Sequence, residues 1–405
     1  MNILFLTIAP FSSIESHSLY SDLLRCFRDH GHDIYAVSPS EKRFGKKTEL
    51  IHEKGTHVLH VETGDVTGSG NLIKKGLAQM SIEPIFIRAI KQHFPNTKFD
   101  LVLYSTPPIT FCKVVEFVKR RDNAKTYLLL KDIFPQNAVD IGMMSKTGVK
   151  GILYKHFRRV EKKLYSISDR IGCMSQANVD YVLKHNPEID PKKVEICPNS
   201  IEIQDMSVSP EERSALRDKY GIPQDKKVFV YGGNLGKPQG IPFIIECLKK
   251  LNGHPDAYFL LVGDGTEFSK LQKFFDEEKP ANMKLLNRLP KEDYDRMVAA
   301  CDVGLIFLDH RFTIPNFPSR LLSYMQAGLP VLAATDPNTD IGKVITEGGF
   351  GWWCESNDAN AFTSKVEAAM KADITPMQKA EKAYLLENYT VERAYGTIMK
   401  THSIM

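Results

Sequence analysis

The 405 residues predict a parallel α/β protein built as two doubly wound units in tandem. Three observations carry that expectation. Short β-branched and apolar runs alternate with amphipathic stretches along the whole chain, as parallel strands with crossover helices require. One polar stretch over 200–227, SIEIQDMSVSPEERSALRDKYGIPQDKK, interrupts the rhythm before it resumes. The length also exceeds what a single hydrophobic core usually organises.

Element by element, strands are expected in the first half at 3–8, 33–38, 58–61, 101–104, 126–130, 170–174 and 194–196. The second half repeats the pattern at 228–231, 257–262, 283–286, 303–307 and 331–334. A final stretch, 375–402, is helical in pattern and follows the last strand. Paired units of this kind hold their ligand at the C-terminal ends of the strands, in the cleft between them. Functional residues are therefore sought in the loops after strands.

Composition excludes several classes. With 42% apolar and 25% charged residues the chain is ordinary for a soluble globular protein. Charge is uneven: residues 1–200 hold 29 Lys+Arg against 21 Asp+Glu, a net of +8, and residues 201–405 hold 24 against 28, a net of −4. The first half is expected to meet something anionic, a phosphate or a membrane surface. Aromatic residues are not interleaved with the basic ones, so nucleic acid is not an expected partner. None of the seven cysteines is spaced C-x-x-C and no H-E-x-x-H occurs, which supports neither a disulfide framework nor a zinc site. The start, MNILFLTIAP, has no basic lead-in and reads as a first buried strand. No run of 18 apolar residues is present, and a cytoplasmic location is expected.

The strand-end loops hold the chemistry. The first, TIAPFSSIESHS, has no glycine before Gly31, which argues against a dinucleotide fingerprint. Ser12, Ser13 and Ser16 offer hydroxyls there, either to a ligand or as simple helix caps. Asp132 closes the fifth strand in LLLKDIFPQNAVDIG, where a carboxylate faces the ligand or caps the next turn. The stretch GVKGILYKHFRRVEKKLYSISDR, 148–170, places Leu153, Phe157, Val160 and Leu164 on one side. Lys155, Arg158, Arg159, Lys162 and Lys163 lie on the others. That pattern fits a helix lying on anionic headgroups or a solvated cover on a sheet. Residues 71–94 offer a second apolar and basic surface with the same ambiguity.

In the second half, VFVYGGNLGKPQGIPF runs a strand through Gly232 and Gly233 to Asn234, Gly236, Lys237 and Gly240 before an apolar helix. Glycines let backbone approach a phosphate, and the helix start favours negative charge. LVGDGTEF repeats the device at Gly263, Asp264 and Gly265. In TIPNFPSRLLSYMQAGLPVLAATD, Arg320 follows Ser319 at the start of a short buried helix, where its charge opposes the helix dipole. Either an anion held there reverses that balance or the side chain reaches into solvent.

With these residues in place, the chain resembles the GT-B glycosyltransferases, specifically retaining glycosyltransferase family 4. The segments ICPNSIEI, YGGNLGKPQGI, LLVGDGTE, LNRLPKEDY and PSRLLSYMQAGLPVLA carry the likeness in order. Within the family it is similar to the fucosamine-transferase-like branch of bacterial O-antigen, capsule and exopolysaccharide assembly, through DIFPQNAVDIG and FTIPNFPSRLLSYMQAGLPVLA. The resemblance implies two Rossmann-like domains facing across a cleft, 1–200 for the acceptor and 201–380 for a nucleotide-sugar. A C-terminal helix, 381–405, is then expected to return to the first domain.

By the same resemblance Gly233, Asn234, Gly236, Lys237, Ser319 and Arg320 would meet the donor diphosphate. Gly263, Arg288, Leu289 and Ser323 would lie on the nucleotide side, and Ser12, Ser13 and Ser16 in the acceptor loop. Asp132 would orient the acceptor hydroxyl or steady positive charge. Two departures stand out. Asn234 and Gln239 occupy positions where many members have Arg and Lys, and Pro315 and Ser323 replace two glutamates.

The expected activity is retaining, hexosyl-type transfer of an N-acetylated amino or deoxy sugar from a UDP-sugar to a lipid-linked saccharide. The enzyme would work peripherally on the inner face of the membrane. No D-x-D stands at a strand end near the expected cleft, so no metal or other cofactor is expected. The alternatives are a UDP-sugar 2-epimerase of the same architecture and an inactive, donor-binding subunit of an assembly complex.

Overall fold

The structure, a computed structural model, describes residues 1–9, 11, 13–65 and 72–404. Two compact units divide the chain, Met1–Glu202 with Thr390–Met405 and, separately, Ile203–Tyr389.

Among the described residues the first unit holds an eight-stranded sheet. Its strands are β1 (Asn2–Leu6), β2 (Asp33–Glu41), β3 (Glu49–Glu53), β4 (Thr56–Thr63), β5 (Leu101–Thr106), β6 (Lys125–Leu130), β7 (Arg170–Cys173) and β8 (Val194–Ile196). They lie in the order β3-β4-β2-β1-β5-β6-β7-β8. All neighbours are parallel except β3 and β4. Alternate residues of β1 enter opposite cores, Leu4 and Leu6 in one and Ile3 and Phe5 in the other. Burial on both faces is why such strands read as unbroken apolar runs.

β3 escapes a search for apolar runs because its residues, ELIHE, are all at least partly exposed. It is an edge strand, turned back onto β4 by Lys54 (φ 43°) and Gly55 (φ 76°), the two left-handed residues of a tight hairpin.

The helix Gly148–Ile167 corrects one expectation. Phe157 and Val160 pack on the core and Leu164 is buried within it, but Leu153 faces outward. The other apolar and basic stretch, 71–94, forms the helix Leu72–His93, and the side-chain surroundings of 71–80 lie outside the described residues.

The second unit holds six strands, all parallel: β9 (Lys227–Asn234), β10 (Ala257–Asp264), β11 (Met283–Asn287), β12 (Val303–Phe307), β13 (Val331–Thr335) and β14 (Gly351–Glu355). Their order is β11-β10-β9-β12-β13-β14, so the chain reverses direction across the sheet beside β9. That is the switch point where doubly wound sheets take ligands. The polar stretch between the units is not wholly irregular, since Pro210–Tyr220 is a helix capped by Ser209 and ended by left-handed Gly221.

The final helical stretch is also corrected, since it is two helices, Thr375–Asn388 and Val391–Ile404. The first stays with the second unit, where Gln378 Nε2 donates to the Gly328 carbonyl at 2.8 Å. The second belongs to the first unit, where the Tyr395 ring meets Phe27 edge-on at 4.9 Å and stacks on His30 at 4.0 Å. The returning segment therefore begins at Thr390, where Ile201 pairs with it as an isolated bridge, rather than at 381.

Candidate functional site

The loops after β9, β10 and β11 and the helix Arg320–Ala327 assemble one site in the second unit. β9 continues through Gly232 and Gly233 to Asn234, pairing Gly233 with Gly263 and Asn234 with Asp264. A short 3-10 turn, Lys237–Gln239, follows, and left-handed Gly240 (φ 64°) opens the helix Ile241–Leu251.

Two of these glycines are demanded by neighbours. A Cβ on Gly232 would collide with the Tyr294 ring. Gly233 has φ 128°, and its Cβ would stand 3.1 Å from Arg320 Nη2. The guanidinium therefore lies directly against the backbone of the glycine turn.

Arg320 is held by tyrosines and not by acids. Its Cζ stands 4.2 Å over the Tyr231 ring, a cation–π contact worth roughly 0.5–2 kcal/mol. Tyr294 and Tyr324 also lie within electrostatic reach. Burial pushes the Tyr324 phenol up to about 12, raises Tyr231, and drives Tyr294 well above its usual range. All three stay neutral at ordinary pH, so the arginine charge has no anion beside it. Its Nη1 is buried without a hydrogen-bond partner. An unmatched buried donor of this kind costs free energy that a bound anion recovers.

Tyr324 anchors the group. Its hydroxyl lies 3.1 Å from the carbonyls of both Val230 and Leu305 and accepts from Gly232 N–H at 3.3 Å. Ser319 precedes the helix with its hydroxyl capping nothing, and Ser323 is half-buried one turn on.

The two departures from the family pattern meet each other. Asn234 Nδ2 donates to Gln239 Oε1 at 3.0 Å, and Gly236 N–H donates to the same oxygen at 3.2 Å. A neutral amide pair thus shapes the turn at the two positions where many members of the resembled family carry Arg and Lys. Lys237 is exposed on this turn and makes no ion pair, which leaves Lys237 and Arg320 as its cations. At the next strand ends, Arg288 is exposed with Nη1 3.8 Å from Asp264 Oδ2, Leu289 is half-buried beside it, and Gly263 is buried.

One acid here was not anticipated. Asp336, fully buried just after β13, accepts from the N–H groups of Asn338 at 2.9 Å and Thr339 at 3.2 Å. Its Oδ2 has no partner, and burial pushes the carboxyl up to about 6. Asn338 and Thr339 in turn bond the carbonyls of Phe312 and Asn316 at 2.6 and 2.5 Å. That ties Asp336 to the segment around Pro315, where the family's first glutamate is missing.

In the first unit, Asp132 follows β6 in a tight turn. Its Oδ2 accepts from Asn137 Nδ2 at 2.7 Å and its Oδ1 from Ile133 N–H at 2.8 Å. Burial pushes this carboxyl up to about 6 against those two donors. Asn137 was not singled out in the sequence, although it stands five residues on in the same turn. Beside them, burial depresses the Lys131 amine to about 8.

The serine loop is placed differently. Ser12 lies outside the described residues. Ser13 Oγ donates to Glu53 at the end of β3 at 2.5 Å and Ser16 Oγ to the Ser13 carbonyl at 2.7 Å, so both hydroxyls are engaged within the first unit. The cap of the helix Leu19–Asp29 is Ser18, which accepts from Ser21 N–H.

Among the described residues two clusters of His, Cys, Asp and Glu are close enough to share a cation. Cys26, His30 and Glu392 form one. His17, Asp22 and Glu202 form the other, and there Arg25 Nη2 already contacts all three, at 3.1, 2.5 and 2.7 Å. Neither includes Asp132 or the glycine turn.

Two doubly wound units, parallel apart from the β3 edge, with a cation-bearing glycine turn at the switch point of the second, give the chain the GT-B fold. Residues 212–385 match the Glycosyl transferases group 1 family. The chain is 27% identical over 326 residues to the probable glycosyltransferase WbjE of Pseudomonas aeruginosa, covering 80% of this chain and 79% of that protein. At 21% over 318 residues, 66% of this chain and 79% of the relative, it is similar to the UDP-Gal:alpha-D-GlcNAc-diphosphoundecaprenol alpha-1,3-galactosyltransferase of Escherichia coli. In structure it is similar to sucrose-phosphate synthase from Thermosynechococcus elongatus, with a TM-score of 0.75, 13% identity and coverage of 99% and 98%. It is also similar to Anabaena Alr3699/HepE in complex with UDP, with a TM-score of 0.69, 18% identity and full coverage of both chains.

Proposed function

We propose that this chain moves a hexose-type sugar, of the N-acetylated amino or deoxy class, from a UDP-sugar to a lipid-linked saccharide during assembly of a bacterial surface polysaccharide. The observation that carries the reading is Arg320, a guanidinium pressed against Gly233 with a buried, unpartnered nitrogen and only neutral phenols around it. Such a site favours the diphosphate of a nucleotide-sugar. The names of two relatives support the choice of substrates, one describing a UDP-sugar and a diphosphoundecaprenol acceptor, the other a complex with UDP.

In this mechanism the bond between the sugar anomeric carbon and the β-phosphate oxygen breaks, and the acceptor oxygen bonds to the same face of that carbon. The acceptor proton passes to the departing phosphate. Arg320 and Lys237 stabilise the charge that grows on the diphosphate, so transfer proceeds without a metal. Arg288, Leu289, Gly263 and Ser323 border the nucleotide, and Ser319 lies beside the diphosphate. Asp132, steadied by Asn137, orients the acceptor hydroxyl on the first unit. The enzyme works as a peripheral protein on the cytoplasmic face of the membrane.

The test is UDP release from UDP-sugars with and without undecaprenyl-diphosphate saccharides, in EDTA, with the product anomer assigned by NMR. Acceptor-dependent release with retained configuration is expected. Acceptor-independent conversion of the donor sugar would replace the proposal with a 2-epimerase. UDP binding with no donor consumption across all acceptors would leave an inactive binding subunit.

A further inference from the structure

We propose that the outward face of the helix Gly148–Ile167, together with the loop before it, docks on a bilayer of anionic phospholipid. The inference rests on the reading above only in the purpose it gives the contact. The surface itself stands on its own observations.

Nine large apolar side chains are well exposed among the described residues, and four of them fall between 143 and 153. Met143 is 57% exposed, Val149 85%, Ile152 71% and Leu153 47%. Val149, Ile152 and Leu153 are spaced i, i+3, i+4 and so share one helix face. Farther along the helix the apolar residues are already used: Phe157 packs on Phe134 at 5.1 Å, and Leu164 is buried in the core. The fold covers the apolar stripe in the later turns of the helix and leaves it bare in the first two.

Along the segment itself the charge is of one sign. Residues 141–160 include five Lys and Arg and no Asp or Glu. Arg158 turns inward to Glu161 and Asn186. Lys146, Lys150 and Lys155 are exposed without an ion pair, and Lys146 rests 5.6 Å over the Tyr154 ring. Exposed apolar side chains ringed by unpaired lysines match an interface of acyl chains beneath anionic headgroups. A second copy of the same surface would set lysines against lysines. Free phosphate would leave the apolar side chains uncovered. No described helix is long and apolar enough to cross a membrane, so the contact is interfacial.

The placement next to Asp132 gives the contact its use. The Tyr154 hydroxyl donates to Gln136 Oε1 at 3.4 Å, and Phe134 packs on Phe157, so both contacts fasten the helix to the turn from Asp132 to Asn137. A lipid-linked saccharide held in that bilayer would extend beside the carboxylate that orients it.

The experiment is flotation of the full chain with phosphatidylcholine vesicles, with and without 30% phosphatidylglycerol, at low and at ~0.5 M salt, where the Debye length falls to a few ångströms. The chain is expected to float with the anionic vesicles and at least fivefold less with neutral ones. The variant V149S/I152S/L153S should lose at least fivefold at low salt, and K146Q/K150Q/K155Q should behave at low salt as the parent does at high salt. Both triple variants should keep the parent's UDP-induced thermal shift, which shows that they fold. Equal flotation of parent and apolar variant, or none by the parent, overturns the proposal. So does loss of a dimer in the variants with unchanged flotation. Transfer without flotation sinks the docking surface alone, and flotation without any transfer sinks only the assigned reaction.

Discussion

The guanidinium of Arg320 lies 4.2 Å over the ring of Tyr231 while one of its nitrogens is buried with nothing to bond. The stack fixes the position of the charge and leaves Nη1 free to take an acceptor. Stacking fills the face of the guanidinium, whereas an acceptor binds in its plane, so the two demands do not compete. A salt bridge at this point would have held the arginine equally well and closed the site. The three phenols are thus part of how the site remains able to take an anion.

Tyr324 is the least replaceable of the three. Tyr324→Phe leaves the Val230 and Leu305 carbonyls without their phenol and Gly232 N–H without its acceptor. It is expected to lower stability by about 1–3 kcal/mol in urea unfolding and to raise the KM for donor several-fold. An unchanged KM would separate Tyr324 from the placement of Arg320.

The carboxyl of Asp132 sets a pH limb. Burial holds it near 6, so the carboxylate that orients the acceptor is lost as pH falls through 6. We expect kcat/KM to drop on that side in the parent and to be lower and flat in Asp132→Asn. Stability moves oppositely. Between about pH 4 and 6 the unfolded chain releases a proton that the folded chain keeps, so the folded state weakens as pH rises through that window. Asp336 shares the value of about 6 and contributes to the same stability trend, whereas the kinetic limb belongs to Asp132. A limb that survives Asp132→Asn contradicts its role.

Glu381 is a liability of the fold. It is fully buried in the helix Thr375–Asn388, neither carboxyl oxygen has a partner, and burial drives it well above the usual carboxylate range. The folded state keeps a proton that the unfolded chain releases above about pH 4.5, so the cost grows as pH rises. Glu381→Met should stabilise the second unit by about 1–3 kcal/mol at pH 8 and by less at pH 5. Denaturant unfolding at both pH values reads the difference, and a destabilised variant at pH 8 would show that the carboxyl is needed.

Much of this was legible in the chain for identifiable reasons. Strands such as β5 and β12 are buried at every residue, so their apolar runs are unambiguous. β3 and β14 are edges, where exposure removes that signal. Asp132 and Arg320 stood out because the end of a strand and the start of a helix give charge a defined electrostatic setting. The tyrosines around Arg320 carry no local signal, because Tyr231, Tyr294 and Tyr324 come from a strand and two different helices and meet only in the fold. The amide pair of Asn234 and Gln239 was visible as two missing charges, but not as a bond. The exposure of Leu153 was hidden for a related reason: helical periodicity puts it on the side of Phe157 and Leu164 without saying how far along the helix the fold covers that side.

The most direct measurement is titration calorimetry of UDP and of uridine against the parent and Arg320→Met. The parent should bind UDP far more tightly than uridine, and Arg320→Met should weaken UDP by roughly 10- to 150-fold, the range of a charge-assisted hydrogen bond, with uridine little changed. Equal affinity of parent and variant for UDP would contradict the assignment of Arg320 to the donor diphosphate.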